Sequence, residues 1–119
     1  MSCTIDIKTR SVNSKSLFND INDFIKDGIT DIGVRWGSDI HRNTFIEVIE
    51  DWLKEFFDKG RITQFNVICD DRNNNQQDFD SGLFRLTVTY KQKHCLNTTV
   101  IDYTVREHRN ELIEELLLN

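Results

Sequence analysis

A polar stretch in the second half of the chain contains the residues that come nearest to a metal-binding pattern. Asp71, Asn73 and Asn75 alternate like the opening positions of a calcium-binding loop, where alternate oxygen-bearing side chains converge on one hard cation. The rest of the pattern is missing, because Gln76 stands where the loop needs glycine and Gly82 where it needs a bidentate glutamate. We therefore predict a polar hairpin loop and no metal site.

Residues that could serve as nucleophiles, bases or acids do not combine into a catalytic set. Cys95 follows His94, but neighbours on a strand point to opposite faces, so this thiol and imidazole are not expected to pair. Acidic pairs such as Asp70 with Asp71 lie in an amide-rich stretch that favours solvated carboxylates. No hydrolase elbow, glycine-rich phosphate loop or zinc-protease helix motif occurs. The sequence predicts no enzyme, no catalytic residue and no cofactor.

The charge and hydropathy of the chain limit its partners. Twenty acidic against fifteen basic residues give a net charge of -5, which opposes binding to nucleic-acid phosphates. The group Lys91, Lys93 and His94 beside Tyr90 is too small for a nucleic-acid footprint. No apolar run approaches the roughly 18 residues that a membrane span needs. We expect neither nucleic acid nor membrane as a partner, and a chain that stays in the cytosol.

Length and cysteine content predict one domain in a reducing compartment. At 119 residues the chain has the usual size of a single domain, to which we assign residues 1–119. Cys3, Cys69 and Cys95 are odd in number and far apart, which argues against a disulfide framework and a zinc knuckle. We expect all three to be free thiols.

The clearest element is an amphipathic helix over residues 43–59, where apolar residues repeat at helical spacing opposite a charged side. Asn43 or Asp39 is placed to cap its start, and Gly60 to end it. The charged side supplies four candidate partner-binding residues: Glu47, Glu50, Asp51 and Lys54.

Two further helices are predicted nearer the termini. The first is capped by Ser14 or Ser16 and runs through Lys26, with Gly28 as its stop. The second is a closing helix over residues 106–119, where leucines and an isoleucine lie behind three glutamates.

Strand-like alternation fills much of the remaining sequence. We predict strands over residues 32–36, 65–69, 83–90 and 98–105, with a polar hairpin loop over residues 70–81. Together with the helices they predict an α+β fold, in which two to three helices pack on a small mixed or antiparallel sheet.

Residues 1–10 form a predicted strand arm at the amino terminus, because Ile5 and Ile7 alternate with polar residues. An unpaired strand offers backbone donors and acceptors to another chain. We select Ile5 and Ile7, with Val100 and Ile101 of the last strand, as candidate partner-binding residues.

Short motifs follow one another from the central helix to the last strand. In chain order they are Trp52-Leu53, Gly60-Arg61-Ile62, Phe65-Asn66-Val67-Ile68-Cys69-Asp70, Asn73-Asn74, Phe79-Asp80-Ser81-Gly82-Leu83 and Thr99-Val100-Ile101. In order and spacing this series resembles the C-terminal domain of bacteriophage contractile-tail sheath proteins. That domain is similar in fold to the small sheath-initiator subunits of baseplates.

The resemblance implies a structural virion protein that assembles with other protein chains. Its partners would be further copies of itself or tail-tube and baseplate subunits, in an oligomeric assembly linked by strands donated between neighbours. It would lie in the host cytoplasm during assembly and afterwards in the virion tail. The strand arm of residues 1–10 is the candidate for donation.

Two other classes of function are open alternatives. One is a small phage or host-interaction protein that binds and inhibits a cellular enzyme, because the acidic surface would suit a basic partner site. The other is an enzyme that uses the region of Cys69 and Asp70, although the sequence shows no complete site there.

Overall fold

Four strands and three helices follow one another along the described chain in the order β-α-α-β-α-β-β. The computed structural model describes residues 3–32 and 39–107, without the side chains of Ile32, Asp39 and His41. The elements are β1 (Cys3–Arg10), α1 (Lys15–Ile32), α2 (Asp39–Asp58), β2 (Ile62–Ile68), α3 (Gln76–Asp80), β3 (Leu83–Gln92) and β4 (Thr99–Glu107).

The four strands form one antiparallel sheet in the order β1-β4-β3-β2. The first strand of the chain therefore pairs with the last described strand, from Cys3 opposite Glu107 to Arg10 opposite Val100. Pairing of β2 with β3 is interrupted by a register shift between Ile62 and Gln64. The sheet confirms the predicted α+β class and decides that it is antiparallel, not mixed.

One face of the sheet is apolar, and the helices cover that face. The alternation along β3 buries Phe84, Leu86 and Val88 while the residues between them stay half-exposed. A side chain on α1, Asn22, accepts a hydrogen bond from the Tyr103 hydroxyl of β4 at 2.9 Å. The chain is therefore a single two-layer domain with its core between sheet and helices.

Helix α1 continues past Gly28 to Ile32, so the prediction that Gly28 ends this helix was wrong. Its start agrees with a Ser14 cap, since the Leu17 backbone N–H donates to Ser14 Oγ at 3.4 Å.

Position 28 needs glycine because α2 approaches α1 there. A Cβ added at Gly28 would lie 2.6 Å from Cζ of Phe45, a ring that is only 5% exposed. The glycine thus allows the two helices to pack closely.

Helix α2 begins earlier than predicted and ends as predicted. It includes Asp39, so Asn43 lies inside the helix and does not cap it. At the other end Gly60 has a φ of +74°, the left-handed conformation that glycine adopts without strain. The Arg61 N–H donates to the Phe56 carbonyl at 2.9 Å and the Gly60 N–H to the Phe57 carbonyl at 3.0 Å. These two bonds form a Schellman cap.

Three other predicted elements changed. The loop over residues 70–81 contains the five-residue helix α3, which is too short to show periodicity in sequence. The strand predicted over residues 32–36 starts on Ile32, which belongs to α1, and its other residues lie outside the described part of the chain. The closing helix was placed from residue 106, but β4 extends to Glu107; residues 108–119 lie outside the described part.

Gly28→Ala should destabilise the fold, although alanine favours helix more than glycine does. The new methyl group overpacks the contact with Phe45, and we expect a loss of about 1–3 kcal/mol in the free energy of unfolding. Urea unfolding followed by circular dichroism measures this loss. Thr30→Ala on the exposed side of α1 is the matched control and should change stability by less than about 0.5 kcal/mol. Equal or greater stability of Gly28→Ala would contradict the packing role.

Candidate functional site

Strand β1 forms one edge of the sheet. Among the described strands it pairs only with β4, which leaves its other side without a strand neighbour. Ile5 and Ile7 are half-buried and pack against the core, while Asp6 and Lys8 between them are exposed. Ile5 and Ile7 thus anchor the strand, and its backbone edge, not these side chains, is what it can present to another chain.

Pairing along its whole length and a contact at its carboxyl end hold β1 in its own sheet. All eight of its residues have register partners in β4. At its carboxyl end the Thr99 hydroxyl donates to the Ser11 carbonyl at 2.7 Å, and Thr99 is only 1% exposed. Ser11 itself has a φ of +59°, which turns the chain from β1 towards α1. The predicted arm is thus an integral strand of this domain.

The charged side of α2 lies on the protein surface. Glu47, Glu50, Asp51 and Lys54 are all exposed, as a partner-binding surface requires. The opposite side is packed by aromatic contacts, including Trp52, which stacks on Phe24 of α1 with ring centroids 4.1 Å apart and planes 7° apart. That packing fixes which side of α2 faces outward.

The two candidate residues on β4 have different positions. Strand β4 lies between β1 and β3, so its backbone is paired on both sides. Ile101 is 0% exposed and belongs to the core, which leaves its side chain no surface to offer a partner. Val100 lies on the opposite face of the sheet and is half-buried.

The polar loop after β2 uses its amide groups to complete the sheet. Strand β2 ends before it can pair with Arg85, and the Asn74 side chain takes the place of the missing strand. The Arg85 N–H donates to Asn74 Oδ1 at 2.6 Å, and Asn74 Nδ2 donates to the Arg85 carbonyl at 2.8 Å. Asn73 Nδ2 donates to the Ile68 carbonyl at 2.9 Å. Nothing in the sequence pattern pointed to this role.

Several other oxygens of this loop have local partners. Asn75 Oδ1 accepts from the Asp78 N–H at 2.8 Å and caps α3. The Asp70 carboxylate accepts from Arg72 Nη2 at 2.7 Å, and the hydrogen bonds from Arg72 hold the pKa of Asp70 below its usual range. Asp78 pairs with Arg85 at 2.8 Å. Asn73 Oδ1 accepts from the Asp70 N–H at 3.2 Å and from Asn74 Nδ2 at 2.9 Å, so the oxygens of both Asn73 and Asn75 bond to groups of the loop itself.

The thiols show no catalytic arrangement in the described ranges. Cys69 follows β2 and is buried, and that burial raises the pKa of its thiol to about 11. His94 and Cys95 lie in the turn between β3 and β4, not on a strand as assumed from the sequence. Tyr90, the aromatic residue beside Lys91, Lys93 and His94, is 1% exposed and cannot stack on a base. Over residues 3–32 and 39–107, no three His, Cys, Asp or Glu side chains cluster in a way that could hold a metal ion.

Comparison with protein-family models, curated proteins and solved structures found no match to this chain. In the two described ranges, none of the helices is long and apolar enough to cross a membrane. The site is therefore defined by geometry alone: the outer edge of β1 and the exposed acidic side of α2.

Asn74→Ala should destabilise the domain by about 1–3 kcal/mol, because it leaves the N–H and C=O of Arg85 without their partners. Chemical unfolding measures the loss. Gln77→Ala, at an exposed position of α3, is the control and should stay within about 0.5 kcal/mol of wild type. A stable Asn74→Ala variant would show that water or a shift of the loop replaces the amide.

Cys69 should resist alkylation in the folded protein. With a pKa of about 11, roughly one thiol in a thousand is thiolate at pH 8, and burial also blocks access. We expect iodoacetamide to label Cys69 at least about tenfold more slowly in the folded than in the urea-unfolded chain, as measured by peptide mass spectrometry. Half-exposed Cys95 serves as the internal control. If Cys69 and Cys95 are labelled at the same rate in the folded chain, Cys69 is reactive and becomes a candidate nucleophile.

Proposed function

We propose that this protein is a structural protein–protein interaction subunit that joins other chains through the outer edge of β1 and the acidic side of α2. The observation that carries the proposal is the position of β1. It is an eight-residue strand, integral to its own sheet, with one side that no described strand pairs. An extended segment of a partner can pair with such an edge through backbone hydrogen bonds alone.

The acidic side of α2 supplies selectivity beyond backbone pairing. Glu47, Glu50 and Asp51 project from a helix whose inner side is fixed by packing against α1 and the sheet. Charges on a rigid helix can match a basic partner surface and exclude an acidic one.

The resemblance to sheath and sheath-initiator domains supports a place in a contractile tail or a related injection machine. In that setting the partners are other copies of the chain or tail-tube and baseplate subunits, assembled in the host cytoplasm and retained in the virion tail. The α+β fold with an accessible edge strand is compatible with that role. The alternative, an inhibitor that docks on a host enzyme, would use the same acidic surface.

Co-purification from the cells that produce the protein tests this function. We expect a tagged chain to be recovered with tube or baseplate proteins and to be present in purified particles. A discrete one-to-one complex with a host enzyme, with none of the chain in particles, would contradict a structural role and favour the inhibitor.

A disulfide lock decides how β1 takes part. Asp6 and Thr104 are register partners on the face opposite the helices, so Asp6→Cys with Thr104→Cys should tie β1 to its own β4. If partners add to the outer edge of β1, the oxidised double variant should assemble as well as the reduced one. Loss of assembly only in the oxidised form would instead mean that β1 is donated to a neighbour. Peptide mapping must show the intended bond, because Cys3 lies nearby.

A further inference from the structure

The two faces of the domain differ in charge. Exposed acidic residues dominate the surface of α1 and α2, which we call the helix layer. Its acidic members are Asp20, Asp23, Asp27, Asp31, Glu47, Glu50, Asp51, Glu55 and Asp58, and its exposed basic members are Lys15, Lys26 and Lys54.

The opposite face of the sheet, which we call the open sheet face, carries the reverse excess. Alternation along the strands directs five basic side chains to it, against Asp6 and Asp102. Helices α1 and α2 pack on the other face. The short helix α3 and the loop before it reach the open sheet face at two β3 residues, where Asp78 pairs with Arg85 and Asn73 Nδ2 donates to Thr87 Oγ1 at 3.3 Å. The five basic residues are Lys8, Arg10, Arg85, Lys91 and Arg106.

Some charges of the open sheet face are balanced within the sheet. Lys8 lies opposite Asp102 in register, and Asp102 also accepts from the Thr87 hydroxyl at 2.9 Å. Three other positions have no acid opposite them. Arg10 lies opposite Val100, Lys91 opposite Gln64, and Arg106 opposite Thr4 and Leu83. These three residues therefore supply the excess positive charge, which Asp6, opposite Thr104, offsets in part.

We propose that copies of this chain associate face to back, with the helix layer of one copy against the open sheet face of the next. The occupant is a second copy because the chain itself carries both complementary surfaces, on opposite sides of one two-layer domain. One copy cannot bring its own two faces together. Such a contact is heterologous, so each added copy presents a new free face and the association can extend. This inference rests on the proposed function, since it names the partner of the acidic α2 surface.

The polar character of the open sheet face makes the contact electrostatic. Threonines and charged residues, not large apolar side chains, line most of it, including Thr4, Thr87, Thr89 and Thr104.

An electrostatic contact should weaken as salt is added, because the Debye length falls from about 30 Å at 0.01 M salt to about 3 Å at 1 M salt. Light scattering should therefore show a mass that rises with protein concentration at low salt and returns to the 14.1 kDa of one chain at high salt.

Two charge-reversal variants separate the faces. The sheet-face variant carries Arg10→Glu, Lys91→Glu and Arg106→Glu, and the helix-layer variant carries Asp27→Lys, Glu47→Lys and Asp51→Lys. Each should be monomeric alone at low salt, because its two faces no longer have opposite charge. Both faces are negative in the sheet-face variant, and in the helix-layer variant the helix layer has six acidic and six exposed basic residues and therefore no net charge. Each variant retains one native face, so an equimolar mixture should form a discrete dimer of twice the chain mass and no larger species. Circular dichroism confirms that both variants are folded.

The net charge of the helix-layer variant provides a control for nonspecific association. The helix-layer variant brings the net charge from -5 close to zero, which by itself would promote association. A monomeric helix-layer variant that dimerises only with the sheet-face variant supports the proposal. Self-association of either variant alone, failure of the mixture to dimerise, or a wild-type chain that stays monomeric at low salt would overturn it. In each of these cases co-purification with other tail subunits through β1 would still support the proposed function.

Discussion

The pairing of β1 with β4 is the interaction on which the rest of the structure depends. It joins the first strand of the chain to the last described one over eight register positions. The helices and strands between them are thereby held in one domain. Because β4 is then flanked by β1 and β3, the amino-terminal strand becomes an edge, and α1 crosses back over the apolar face. Without this pairing β4 would form the edge and Ile5 and Ile7 would lose the core they pack against.

The buried apolar residues of the sheet lie on one face, and this arrangement explains both candidate surfaces. The helices must cover the face that carries Phe84, Leu86 and Ile101, so their outward sides can be charged without cost to the core. The other face of the sheet is then mostly polar, with threonines and basic residues on it. Burial and surface chemistry thus follow from one alternation pattern along the strands.

Elements with strong periodicity could be predicted, and those fixed by tertiary contacts could not. The alternation along β3 and the helical stripe of α2 each reflect burial on one side, which sequence records directly. Gly60 and Gly28 each follow an amphipathic helical pattern, so both were predicted to end a helix. Gly60 does cap α2, whereas Gly28 lies inside α1 and makes room for Phe45. Only the position of the neighbouring helix distinguishes them.

The candidate surfaces were predicted only in part for the same reason. The exposed side of α2 follows from its periodicity, so Glu47, Glu50 and Asp51 were identified correctly as surface residues. The place of Ile101 inside the core depends on strand order, which local pattern does not encode. The side chain of Asn74 pairs with Arg85 eleven residues away, and that contact exists only once β2 ends and the loop folds back.

The central claim is that the outer edge of β1 binds another chain, and amide hydrogen exchange tests it most directly. In an antiparallel edge strand about half of the backbone N–H groups point away from the single partner strand. Those of Cys3–Arg10 should exchange rapidly in the isolated chain and become protected by at least about tenfold on assembly. Unchanged exchange along β1 in the assembled state would contradict the account.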